Sequence, residues 1–117
     1  MEVPKFSGET PIRNIQQFQE EYDDQYWEHD RTIHENINHV EHHLGKMIGK
    51  IATWTEAVEH GNNPSLDQLK NEVTPDLLFW ALHLANLFAL DIEEVYQKRL
   101  EDNIRRLHSN ESKDPLS

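Results

Sequence analysis

Between residues 33 and 58 the apolar side chains Ile33, Ile37, Val40, Leu44, Met47, Ile51, Trp54 and Val58 recur at alternating steps of four and three. Such steps keep side chains on one face of an α-helix, so the pattern predicts a long helix with one apolar seam. His39, His43, Lys46 and Lys50 each stand one position before a seam residue and form a basic strip along its edge. A cation at the margin of a core is partly shielded from water, where it holds a phosphate or carboxylate better than a fully solvated lysine does. The plainer reading of the same strip is a solvated flank.

The other elements follow from similar periodicity. Thr10 and Pro11 give a cap and a first-turn proline, and Ile12, Ile15, Phe18, Tyr22 and Tyr26 continue at helical spacing, predicting a helix over 11–27. A short link with Asp30 as a candidate cap leads to the long helix, which fades at His60, Gly61, Asn62, Asn63 and Pro64. Gly45 and Gly49, with Ala52 nearly one turn on, lie on the seam's other flank. A glycine inside a helix costs up to about 1 kcal/mol relative to alanine, so the pattern predicts another helix crossing closely there. Ser65 and Gln68 have the form of a capping box, opening a short helix that Pro75 interrupts or restarts. From Asp76 to Ala89 the pattern is apolar nearly all round, with Asp76, Trp80, His83 and Asn86 along one line. Asp91 with Glu94 forms a further box, and Ile92, Val95, Leu100, Asn103 and Leu107 trace the inner face of the last helix.

These elements predict an all-α fold with no strand: a flexible segment over 1–10, one helical domain of four to five helices over 11–108, and a disordered tail over 109–117. A strict seam and a nearly all-apolar helix offer more surface than 117 residues cover, so a homodimer or dimer of dimers is expected. With 22 acidic against 11 basic residues the net charge is −11, which repels nucleic acid and anionic membranes. No cysteine is present, which excludes disulfides, thiolate metal sites and thiol catalysis. The most apolar run, 77–90, is too short for a membrane span, and no stretch reads as a signal peptide, so the expectation is a cytoplasmic protein.

Motif chemistry is sparse. His34 and His39 are five apart, not the four that a helical zinc-protease motif needs. Glu35, His39 and His43 share a face, but about 12 Å separates the outer two on a straight helix, leaving at most a His39/His43 pair with a ligand from elsewhere. No nucleophile elbow, Walker-type loop or dinucleotide fingerprint occurs. For Trp54 and Trp80 core packing competes with base stacking, and for His83 and Asn86 an internal hydrogen-bond network is expected.

The segment from Glu72 to Arg106 resembles the second half of the MazG-like, all-α nucleotide pyrophosphohydrolases. Asp76, an apolar helix, the turn Ala89-Leu90-Asp91, and Asn103 followed three residues later by Arg106 occupy the matching places, and with the long helix the resemblance covers about residues 30–107. It implies cleavage of a nucleoside triphosphate to monophosphate and pyrophosphate, with Mg²⁺ held by two acidic pairs. This chain departs from that pattern: it has His43 and Lys46 at the first pair and Val73 and Asp76 at the second. Lysine in place of a carboxylate reverses the charge that a hard cation requires. Two readings remain open. In one, Glu41, Glu72 and Asp76 form a shifted metal site and the chain is a divergent pyrophosphohydrolase. In the other, His43, Lys46, Lys50, Asn103 and Arg106 bind a phosphorylated small molecule directly, in a catalytically silent binding or interaction module. Lys46 paired with Asp76 as a structural ion pair is the third use of the same residues.

Overall fold

A computed structural model describes residues 1–109. It contains four α-helices, α1 (Ile12–Tyr26), α2 (Ile33–Glu59), α3 (Thr74–Leu87) and α4 (Ile92–His108), and no strand among the described residues. Of the tail expected over 109–117, Ser109 closes α4 as its C-cap and 110–117 lie outside the described residues.

Each boundary has a local cause. α2 is capped by Thr32, not Asp30: the Thr32 hydroxyl accepts from the Glu35 N–H at 3.1 Å while the Glu35 carboxylate accepts from the Thr32 N–H, a complete capping box. Its far end closes in a Schellman turn, with the Asn62 N–H on the Ala57 carbonyl, the Gly61 N–H on the Val58 carbonyl, and Gly61 at φ 83°. α3 closes the same way through the Leu90 and Ala89 N–H groups, but its left-handed residue is Ala89, at φ 53°. Thr10 does not cap α1. Its hydroxyl accepts from the Ser7 N–H in a turn of its own, and α1 begins after Pro11.

Pro75 does not break its helix. A five-residue π-helical turn, Leu69–Val73, runs straight into α3, and the Thr74 N–H and hydroxyl both bond the Leu69 carbonyl. Proline lacks an N–H and its ring crowds the carbonyl four residues back, and the wider turn relieves both demands.

α3 is the central element, contacting both α1 and α2, while α4 rests on α1 rather than on α2. Val40, Met47, Val73 and Trp80 form the core, flanked by Trp27, Leu44, Leu69, Phe79 and Leu84. α2 is rotated from the expected seam. Its covered residues include Asn36, Val40, His43, Met47, Lys50, Trp54 and Ala57, whereas Ile33, Ile37, Ile51 and Val58 are exposed. On α4, Val95, Leu100 and Leu107 of the expected inner face are likewise exposed, and only Asn103 is buried. The radius of gyration, 17.2 Å, exceeds the roughly 13 Å of a compact chain this long.

Candidate functional site

The rotation of α2 turns His39, His43 and Lys50 of the basic strip inward. His43 stacks on the Trp80 ring at 4.4 Å and 20°, and His39 meets the Trp27 edge at 4.8 Å. Burial lowers the pKa of both imidazoles; the nearby Arg31 charge adds to the effect at His39 and the Lys46 charge at His43, while Asp76 opposes it at His43. His39 Nε2 is buried with no hydrogen-bond partner among the described residues, as is the Trp54 indole N–H. Trp80 is a core residue, whereas Trp54 is half-buried and stands outside the core cluster.

Lys46 stays exposed at the strip's outer edge, and Lys50 reaches the Glu72 carboxylate at 3.6 Å. The ion pair between α2 and the segment before α3 is therefore Lys50–Glu72, not Lys46–Asp76. The π-turn decides this. It buries Val73 and leaves Glu72 facing Lys50 of α2. Glu41 stands nine positions before Lys50, two and a half turns away on the opposite side of α2, where it borders an apolar groove. Glu41, Glu72 and Asp76 thus do not converge, and among the described residues no three His, Asp or Glu side chains form a metal-binding group.

Asn103 and Arg106 are brought together with each other but not with His43, Lys46 and Lys50. The Arg106 guanidinium donates to the Asn103 side-chain oxygen one turn back, on a helix that packs against α1. The five candidate phosphate-binding residues therefore fall into two groups within one protomer.

The most fully bonded polar cluster lies where α1 meets α3, and its α1 half was not foreseen. His83 Nδ1 is 2.8 Å from Asp23 Oδ2, with side-chain exposures of 11 % and 13 %, and Gln19 donates to Asp23 Oδ1 at 2.9 Å. One helix turn away Gln16 donates to the Asn86 side-chain oxygen and to the Leu90 carbonyl, accepts from the Ile92 N–H, and its own carbonyl accepts from Asn86. The network expected for His83 and Asn86 exists, with all its partners on α1. Residues 16, 19 and 23 share a helix face, and that spacing was the available signal. Beside it a cleft of about 220 Å³ is bordered by Glu20, Asp24, Glu28, Trp27 and His83. Its acidic rim disfavours phosphates.

Mg²⁺ fits these residues poorly. Glu72 is paired with Lys50, Asp76 lies near His43, and a hard dication needs several uncompensated oxygens. No family model, curated protein or solved structure matches this chain.

Proposed function

We propose that this chain is a MazG-like helical module that binds a phosphorylated small molecule, such as a nucleoside triphosphate, without a metal ion and without hydrolysing it. The supporting observation is the 3.6 Å pair between Lys50 and Glu72, an ammonium held where the family pattern requires a cation-binding carboxylate to be free. Lys46, exposed one turn from His43, supplies the uncommitted positive charge, and the His43 ring is fixed by its stack on Trp80. A lysine ammonium offers three donors to phosphate oxygens, which serves binding; it supplies no activated water for hydrolysis.

Isothermal titration with several nucleoside triphosphates, with and without Mg²⁺, tests this reading while the same samples are assayed for pyrophosphate. Binding without metal and without turnover is the expected result, with Lys46→Glu weakening it at least tenfold and leaving helical content intact. Metal-dependent binding with turnover would overturn the proposal in favour of a divergent pyrophosphohydrolase, the reading favoured by Glu72 and Asp76 both remaining on this side. No binding at all would overturn both.

A further inference from the structure

The close helix crossing expected at Gly45 and Gly49 is absent, since a Cβ built on either glycine meets nothing within 4 Å. Three helices do converge on the cleft of about 220 Å³ bordered by the end of α1, Asn36 of α2 and His83 of α3. Its most buried wall is His83, 9 % exposed, with Nδ1 2.8 Å from Asp23 Oδ2. A carboxylate accepts from that nitrogen, so the neutral ring carries its proton on Nδ1 and keeps Nε2 as an acceptor. His83 Nε2 bonds no described residue, and unlike His39 Nε2 it is not sealed from the cleft. Trp27 stands beside it, 5.2 Å from His83 between ring centres and held by edge contacts with His39 and Trp80. On the rim, Glu28 is taken by Arg31 at 3.4 Å, whereas Glu20 and Asp24 make no ion pair among the described residues. His29 donates to the Asp24 backbone carbonyl at 2.7 Å, which leaves the Asp24 carboxylate uncommitted.

We propose that this cleft binds a short alkyl diamine, with one ammonium donating to His83 Nε2 beside Trp27 and the other held by the Glu20 and Asp24 carboxylates. An acidic rim alone would be a solvated face. The buried, unpartnered acceptor behind it is what asks for a donor, and an ammonium offers three donors and no acceptor. Trp27 adds the attraction of an aromatic ring for a cation within about 6 Å of it. Glu20 and Asp24 lie one turn apart on one face of α1, a rise of about 6 Å, which a chain of a few methylenes between two nitrogens can match. An inorganic dication is the poorer fit, because no three His, Asp or Glu side chains among the described residues form a metal-binding group. Size agrees with a short chain. The cleft is smaller than the roughly 300–1,000 Å³ of sites for drug-sized ligands. This inference does not rest on phosphate binding, whose candidate residues lie on α2 and α4, and its test needs no phosphate.

Isothermal titration of the full chain with 1,4-diaminobutane at pH 8 gives the test, in about 0.15 M NaCl to screen diffuse attraction, with circular dichroism as the control for folding. Saturable binding of one diamine per chain is expected. Glu20→Gln with Asp24→Asn, at two exposed positions, should weaken it about tenfold or more. Glu56→Gln with Glu59→Gln removes the same charge about 30 Å along α2 from Asn36 and should leave it unchanged. In nitrogen NMR of the complex, the His83 Nε2 resonance is expected to shift while those of exposed His108 stay in place. No saturation at millimolar diamine, or equal weakening by the two double variants, would overturn the proposal. So would an unmoved His83 resonance, or a lysine-rich peptide that binds where the diamine does not.

Discussion

Ala89 is where one atom decides a residue's stability. A left-handed conformation costs a residue with a Cβ about 1–2 kcal/mol relative to glycine, and Ala89 holds φ 53° because the Schellman turn ending α3 requires it. Ala89→Gly is expected to stabilise the protein by about 1 kcal/mol, the flexibility it adds to the unfolded chain offsetting part of the relief. Thermal unfolding would then shift upward by about 4 °C. His39 carries the opposite kind of defect, a buried ring nitrogen with no partner. Its proton is disfavoured in the folded state by burial and by the charges of Arg31, His43, His83 and His42. The unfolded chain therefore binds more protons near the ordinary histidine value of 6.5, and this contribution to stability is complete above that pH and lost as pH falls through it. His39→Phe removes the proton site and keeps an aromatic ring against Trp27. Its melting temperature should exceed that of the wild type by more at pH 5.5 than at pH 8; an equal difference at both would show that His39 is not the titrating group.

At the scale of the element, α1 is the informative case. Its apolar positions predict docking through Ile12, Ile15, Phe18, Tyr22 and Tyr26, yet the residues it buries are Gln16 and Gln19. α1 buries an amide because Gln16 satisfies the Leu90 carbonyl and the Ile92 N–H, backbone groups at the junction of α3 and α4 that no helix ladder reaches. Gln16→Ala leaves those groups and the Asn86 side-chain oxygen without partners, while the Asn86 N–H keeps the carbonyl of residue 16; since each unmet buried group costs about 1–3 kcal/mol, a loss of roughly 2–4 kcal/mol is expected in urea unfolding. A loss below about 0.5 kcal/mol would mean that water replaces the glutamine. The π-turn before α3 teaches a related lesson. Pro75 announces a disturbance in the helix, but whether the chain breaks or widens depends on whether Val73 and Trp80 can stay buried together, and the wider turn keeps them both in the core.

For the whole molecule the governing feature is the exposed apolar surface. Among the described residues only Val40, Met47, Val73, Trp80, Leu82 and Ala85 are buried apolar side chains, while apolar residues of α2, α3 and α4 face outward. The homodimer expected from the sequence belongs to this scale, to be read as a two-chain mass in sedimentation equilibrium, and so does its salt dependence. Each copy carries a net charge of −11, so like-charge repulsion opposes an apolar contact, and raising ionic strength should strengthen the dimer. A contact held mainly by ion pairs would weaken instead.

The sequence by itself determined what depends on near neighbours along the chain. The all-α class, the extents of the four helices to within a few residues, the turns at Gly61 and Ala89 and the cap at Asp91 are readable because caps, periodicity and breakers act within a turn or two. Only the tertiary structure decided which face of each helix is covered. The rotation of α2 put His39, His43 and Lys50 inward and left Ile37 and Ile51 outside, because α3 brings Trp80 and Val73 against that side, and no local pattern encodes a neighbour's position. The candidate site divides the same way. The residue types His43, Lys46, Lys50, Asn103 and Arg106 are visible as letters, but their separation into two groups follows from α4 resting on α1, and the pairing of Lys50 with Glu72 from the packing of the π-turn against α2. Packing sets these contacts, since each joins side chains from distant parts of the chain.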